Sequence, residues 1–340
     1  MKIAGFDIGG ANTDLAILEY DDGELIDVKT DFSYLPMWKK NNELGKTLVD
    51  LIENICPINE VDYVGVSMTA ELVDAYDTKK EGVLDIVNKC LKTFNVPVAF
   101  VGTSGMLDSK KAEENPLELA AANWIATSKI ATMIDKNCIF VDTGSTTTDI
   151  IPIKDGKECA KGRSDFERLA TGELVYTGTL RTNITSFVDK IPFDGGEYRV
   201  ASELFAISAD VYNVLDLISQ EDYVCDTCDG QGKSKKESMS RLARVVCADL
   251  ETLDEEDIIN IAEYIHQAQI AQIATALDEV ASRENLQTVI TTGLGKDILC
   301  HEAASSLNLL VRPMDTLLSD EECVVAPAIG TAMMMYDFIN

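Results

Sequence analysis

The sequence predicts an α/β protein built from two related units, each a mixed sheet flanked by helices. Three observations predict it. A strand–turn–strand segment occurs twice, strands are followed by helices in both halves, and 340 residues exceed the roughly 250–300 at which single cores stop growing. The duplicated segment is clearest at Cys138–Ile153, where Ile139-Phe140-Val141 runs into Asp142, passes through Thr143-Gly144-Ser145-Thr146-Thr147-Thr148, and becomes apolar again after Asp149. Laid over Lys2–Leu18, it puts Asp7 on Asp142, Gly9 on Gly144, Thr13 on Thr148 and Asp14 on Asp149. Identities at one spacing in one context indicate an internal duplication. The expected division is residues 1–135 and 136–340.

In the first unit, Lys2–Asp7 is a strand and Leu15–Leu18 returns antiparallel. The Asp21-Asp22-Gly23 turn leads to a third strand at Leu25–Thr30. Leu44, Leu48, Leu51, Ile52 and Ile55 recur at helical spacing, so a helix is expected over Glu43–Ile55, with Pro57 as its stop. Val61–Met68 reads as a buried strand and Thr69–Ala75 as the start of a helix with Glu71 in its first turn. Val83–Phe94 is amphipathic, Pro97–Val101 is a strand, and Ala-rich Pro116–Ile134 is expected as one long helix.

The second unit opens with three strands from Ile139 to about Ala160. Residues 161–196, rich in Gly, Thr and Arg and weakly periodic, read as a loop-rich insertion of the functional kind. Helices are expected at about Tyr198–Ile218, Lys236–Leu250, Glu255–Glu284 (capped by Asp254) and Lys296–Leu307. Strands are expected at Leu286–Thr292 and Leu309–Arg312, and a closing helix at Glu322–Ile339, interrupted by Pro327 and Gly330.

The 58 acidic against 29 basic residues give a net charge of -29, which repels nucleic acid and anionic membranes. Neither is expected as a partner. Nine cysteines, with no signal peptide, suggest a reducing cytoplasm, and no apolar run approaches the roughly 20 residues of a membrane helix. A homo-oligomer is compatible with this composition.

The hairpin tips carry the chemistry. Gly9, Gly10, Asn12 and Thr13 in one, and Gly144, Ser145, Thr146 and Thr147 in the other, offer small side chains, hydroxyls and backbone N–H groups suited to phosphate oxygens. Asp7 and Asp142, at the strand ends, suit a hydrated Mg²⁺. A single such hairpin is an ordinary turn; two in register, with a Gly293-Leu294-Gly295 turn, favour a phosphate site. In so acidic a chain, Arg163, Arg168 and Arg181 of the insertion are candidates for an anionic group, and Glu71 and Glu173 for accepting a proton. Cys225-Asp226-Thr227-Cys228 lacks the second pair a zinc site needs; Cys247 and His266 would complete one only by chance of folding, and His266 and His301 read as helix residues without a catalytic role.

With these motifs placed, the chain resembles the superfamily of acetate and sugar kinases, actin and the large heat-shock chaperones. The resemblance implies two ribonuclease-H-like (actin-like ATPase) domains with a cleft between them, and places Thr291–Gly295 near an adenosine. Ser67–Leu72, Phe140–Ile153, Arg168-Leu169, Thr171–Gly178 and Arg181-Thr182 resemble its hydantoinase-A-related branch, linked to one-carbon metabolism in methanogens and methylotrophs. Within that branch the resemblance is to methanofuran biosynthesis. It implies a transferase that condenses a furanylmethyl diphosphate, 5-(aminomethyl)-3-furanmethanol diphosphate, with the phenol of γ-glutamyltyramine, forming an aryl ether and releasing diphosphate. Mg²⁺ is implied and ATP is not. An ATP-dependent small-molecule kinase or hydantoinase-like enzyme is the alternative, and a non-catalytic nucleotide-binding protein the second.

Overall fold

A computed structural model describes residues 1–340, the side chains of Asp320 and Glu321 excepted. The chain forms two compact units. The first comprises residues 1–138, 153–167 and 314–340; the second comprises 139–152 and 168–313.

In the first unit, β1 (Lys2–Ile8), β2 (Asn12–Asp21), β3 (Glu24–Tyr34), β4 (Tyr63–Met68), β5 (Val98–Gly102) and β6 (Gly105–Asp108) make one sheet in the order β3-β2-β1-β4-β5-β6. The β1–β2 pair is antiparallel, while β4 lies parallel to β1 on its other side. Helices Leu44–Ile55 and Lys79–Thr93 bury Leu48, Ile52, Val83 and Val87 in a core with Phe6, Ile8, Val64 and Val66.

The C-terminal helix Ala326–Ile339 belongs to this first unit, not to the second as the expected boundary has it. Glycine makes the packing possible. A Cβ on Gly5 of β1 would come 2.2 Å from Ala328 O, one on Gly65 of β4 3.0 Å from Thr331, and one on Gly330 1.9 Å from Ala126 O of helix Asn123–Ile134. Gly330 is therefore a contact point rather than a break.

The sheet of the second hairpin has the order β10-β8-β7-β13-β14, built from β7 (Cys138–Thr143), β8 (Thr148–Lys154), β10 (Leu174–Val175), β13 (Thr288–Thr292) and β14 (Leu310–Pro313), and lies almost wholly in the second unit. The end of β8, at Ile153 and Lys154, pairs with the two-residue β9 (Lys157–Glu158) within the first unit. The β7–β13 and β13–β14 pairs are parallel. The 30-residue helix Glu255–Glu284, capped by Asp254, packs Leu277, Val280 and Ala281 against Ile139, Val141 and Val289. A separate hairpin joins β11 (Lys190–Phe193) to β12 (Gly196–Arg199).

Several expected elements are altered by tertiary contacts. Residues 69–75 form turns instead of a helix: the N–H groups of Thr69 and Ala70 tie the segment to Ile8 O at the end of β1, and those of Val73 and Tyr76 bond three residues back, to Ala70 O and Val73 O. The Ala-rich stretch divides into a 3₁₀ turn, Pro116–Leu119, and helix Asn123–Ile134, with Ala121 between them at φ 49. Of Tyr198–Ile218 only Ser208–Val214 is helical; Tyr198 lies in β12, beyond the Asp194-Gly195 turn. The expected Lys236–Leu250 helix ends at Val245, and Lys296–Leu307 is a π-type turn followed by helix Glu302–Ser306. Pro327 does interrupt the closing segment, by sitting in the first turn of a new helix after Asp320–Val324. Among the described residues no helix is long and apolar enough to cross a membrane.

Candidate functional site

The two hairpin tips are built alike. In the first unit Gly9 N–H bonds to Asn12 O (2.8 Å), closing the tip between β1 and β2, and the carbonyls of Gly10 and Ala11 accept from Met37 and Leu35. In the second, Gly144 N–H bonds to Thr147 O (3.0 Å), and the carbonyls of Gly144 and Ser145 accept from Thr179, Leu180 and Arg181. Each tip thus has its carbonyls tied to a following segment. Among the described residues, no backbone acceptor engages the N–H groups of Gly10 and Ala11, nor those of Ser145, Thr146 and Thr147. Clustered open amides of this kind favour an anion.

Each tip also joins two carboxylates. Asp7 stands opposite Asp14 in the β1–β2 register, and is buried, with Ser67 Oγ donating to Oδ1 (2.7 Å) and Asn123 Nδ2 to Oδ2 (3.4 Å). Thr331, on the closing helix, donates in turn to Ser67 Oγ (3.0 Å). Burial raises the Asp7 carboxyl above the usual carboxylate range, against the pull of these hydrogen bonds. Asp14 is pushed up to about 7 by burial and then by the Asp7 charge. In the second unit Asp142 is likewise pushed up to about 7, by burial and then by Asp149. Asp149 is held by the buried Arg168 guanidinium, which also donates to Glu173 O (3.0 Å).

Around Asp142 the chain is packed through glycine. Gly293 has φ 86, and a Cβ there would come 2.3 Å from Asp142 Oδ1; one on Gly295 would come 2.6 Å from Thr143 Cγ2 and one on Gly178 2.5 Å from Thr146 N. The Gly-Leu-Gly turn therefore supports the second hairpin, with Gly295 N–H bonding to Thr143 O (2.9 Å). The hydroxyls of Thr13 in the first unit and of Thr179, Thr291 and Thr292 in the second are buried without a hydrogen-bond partner. Buried hydroxyls in want of a partner suit Mg²⁺ or phosphate oxygens; Thr13 adjoins Asp14 in β2, and Thr292 pairs with Asp142 in the β13–β7 register. Among the described residues no group of three or more His, Cys, Asp or Glu is placed to hold a metal, so a cation at either tip would retain much of its water, as Mg²⁺ does. That holds for Cys225 and Cys228 as well, which are half-buried free thiols.

The remaining expected site residues are dispersed. Glu71 is buried in the turn after β4; one carboxylate oxygen, Oε2, has no partner, and burial raises its pKa against the pull of its own and the Ala121 N–H. Glu173 is fully buried, bonded to Thr171 Oγ1 (2.7 Å) and paired with Arg283, so it serves as an internal counter-ion. Arg168 is buried in the same way, whereas Arg181 is exposed and touches the second tip through its backbone. Arg163 is in the first unit, paired with Glu158. Asn12 is exposed at the start of β2. Asp14, Asp149, Ser67 and Asn123 were not among the expected residues. The two aspartates had a signal, the fourth identity of the duplicated hairpin, and Ser67 opens one of the segments that carry the family resemblance; Asn123 had none, since only folding brings it to Asp7.

The pattern of the hydantoinase/oxoprolinase family matches residues 62–337, which include Ser67, Glu71 and the whole second hairpin. The chain belongs to that family. A relative from Methanocaldococcus jannaschii, 44% identical over 312 residues and covering 91% of each chain, is named (4-{4-[2-(gamma-L-glutamylamino)ethyl]phenoxymethyl}furan-2-yl)methanamine synthase. One of the same name from Methanococcus vannielii is 45% identical over 166 residues, 49% of this chain and 74% of its own. Among solved structures, a nucleotide-free acetone carboxylase overlays with a TM-score of 0.61 at 10% identity, covering 98% of this chain and 70% of that one. A ROK family glucokinase from Streptomyces griseus gives 0.50 at 13%, covering 98% and 99%. At such identities these two establish the fold, the two-unit α/β arrangement shared with sugar kinases, and leave the chemistry to the family.

Proposed function

We propose that this family member is a synthase that forms the phenoxymethyl ether of the compound in its relatives' name, from a furanylmethyl diphosphate and γ-glutamyltyramine. The observation that carries this reading is the 44% identity across 91% of both chains. The open amides of the tips at Gly10-Ala11 and Ser145–Thr147 suit the charge such a reaction generates.

In the reaction the phenol oxygen bonds to the furanylmethyl carbon, the carbon–oxygen bond to diphosphate breaks with its electron pair leaving on diphosphate, and the phenol gives up its proton. Donors already oriented toward the leaving oxygens lower the barrier, since they need no reorganisation as charge develops. The backbone N–H groups of Ser145, Thr146 and Thr147 are such donors. Asp142 with Asp149, and Asp7 with Asp14, are the pairs that would hold Mg²⁺, whose chemistry is to neutralise diphosphate charge. Glu71 is the proton acceptor of choice, because its buried oxygen is unengaged and its basicity is raised, while Glu173 is committed to Arg283. Small-molecule substrates, a cytoplasmic setting and no use of ATP complete the reading.

The test is synthesis. Purified protein given the two substrates with Mg²⁺ and no nucleotide is expected to produce the ether and one equivalent of diphosphate. No product, or product only with ATP, would overturn the proposal.

A further inference from the structure

The second unit contains a cavity of about 580 Å³ between the segment after Arg168 and helix Glu255–Glu284. Leu174, Val175 and Ala276 give it apolar walls. Tyr176, two-thirds exposed, stands at its mouth with Glu279. Gln272 also lines it, and Gln272 Oε1 is buried with no hydrogen-bond partner. A buried carbonyl oxygen without a donor destabilises the fold, so a ligand that brings an N–H recovers that loss. Gly172, at φ 71, admits the Glu279 carboxylate, since a Cβ there would lie 3.0 Å from Oε2.

An unengaged carbonyl, a carboxylate and an aromatic face are the three features that select an ammonium ion. Among the described residues no Lys, Arg or His lines the cavity. That excludes a good fit for a zwitterion, whose carboxylate would want a cation. The compound named for the relatives has two charged ends of just these kinds: a furan methanamine, a plain primary ammonium, and a γ-glutamyl group, which carries ammonium and carboxylate together.

We propose that this cavity is the subsite for the aminomethylfuran part of the donor, holding its ammonium between Gln272 and Glu279 with the ring against Leu174 and Tyr176. The inference rests on the transferase reading above. The chain itself connects this subsite to the second tip. Leu174, Val175 and Tyr176 line the cavity, Val175 pairs with Thr148, and Gly178 abuts Ser145 and Thr146. Four residues reach at most about 14 Å, a span suited to one molecule with an ammonium at one end and a diphosphate at the other.

The full-length protein is titrated with 2-furanmethanamine, with 2-furanmethanol and with γ-glutamyltyramine, and binding is followed by calorimetry and by NMR saturation transfer. Only the amine is expected to bind in a manner weakened by Gln272→Leu and by Glu279→Gln. In the ether-forming assay each variant is expected to raise the KM of the furanylmethyl diphosphate about tenfold, with kcat and the KM of γ-glutamyltyramine within twofold of the wild type. Gln272→Leu removes an oxygen that has no partner, so folding is retained. Equal binding of amine and alcohol, or variant-sensitive binding of γ-glutamyltyramine in place of the amine, would overturn the assignment. Ether synthesis with unchanged donor KM in both variants would overturn the subsite and leave the transferase reading standing. Variant-sensitive binding of the amine without ether synthesis would leave an ammonium site in this cavity but overturn its assignment to the donor together with the transferase reading.

Discussion

Gly293 lies so close to Asp142 that a β-carbon on the glycine would come 2.3 Å from the aspartate Oδ1. It also holds φ 86, in the left-handed region that alanine enters at a cost of about 1–2 kcal/mol. The Gly-Leu-Gly turn, expected near an adenosine, thus has a direct task in the same unit: it brings backbone against the half-buried Asp142 carboxylate, closer than a β-carbon at position 293 would allow.

Gly293→Ala is therefore expected to lower stability by about 1–2 kcal/mol from backbone strain alone and to displace Asp142 as well. Urea unfolding would measure the first effect. Ether synthesis should fall at least tenfold beyond what the lost stability explains, assayed where the variant is still folded. Full activity in a folded variant would mean that the position of Asp142 does not matter to the reaction.

The carboxylate pairs give a pH dependence whose sign can be worked out. Asp14 and Asp142, each pushed up to about 7, are raised above their unfolded value near 4. Groups raised in this way leave stability intact below the unfolded pKa and remove it as pH climbs through the folded pKa. In EDTA the protein should melt at a lower temperature at pH 8 than at pH 5.5. Added Mg²⁺ should restore more at pH 8, where the carboxylates are ionised and free to bind it. Because a chain of net charge -29 also repels itself more strongly as pH rises, Asp142→Asn is the control. It should flatten the pH slope and shrink the Mg²⁺ increment, and identical melting curves for variant and wild type would argue against a cation at this tip.

Ser67→Ala removes the 2.7 Å hydrogen bond that favours the ionised Asp7. The Asp7 carboxyl should then titrate still higher, and Mg²⁺ binding at the first tip, followed by calorimetry at pH 7, should weaken about tenfold. Thr331→Val, which loosens Ser67 through its 3.0 Å contact, should act in the same direction and less strongly. If neither changes Mg²⁺ binding, Ser67 serves packing between β1, β4 and the closing helix.

The duplicated hairpin was legible because its signal is local: an Asp at a strand end, a Gly two residues on, and a Thr-Asp pair starting the return strand. The helix Glu255–Glu284 was legible to the residue, since its Asp254 cap and apolar periodicity both lie in the chain. What sequence left open depends on partners distant in the chain. Glu173 reads as a candidate base until Arg283, 110 residues on, is found bonded to it. Gly330 reads as a helix breaker until Ala126 is found against it. Thr69–Ala75 and the alanines of 120–122 read as helix in the sequence, and the three-residue turns at Val73 and Tyr76 and the left-handed Ala121 appear only in the folded chain.

Glu71 offers the most decisive test of the chemistry. Its turn packs closely on Gly82, where a Cβ would come 2.2 Å from Glu71 O. Glu71→Gln keeps the shape and removes the basicity, and because the carboxyl is buried with Oε2 unengaged, the neutral amide should be tolerated without loss of stability. If Glu71 accepts the phenol proton, kcat should fall about 10²–10⁴-fold. The wild-type rate should rise with pH as this group loses its proton, at a pH above the ordinary range for glutamate because burial raises its pKa, and that limb should vanish in the variant. Mg²⁺ binding should be unchanged, which separates this role from that of the aspartates. A folded Glu71→Gln protein with kcat within threefold and the same pH profile would return Glu71 to a packing role and leave the proton to solvent.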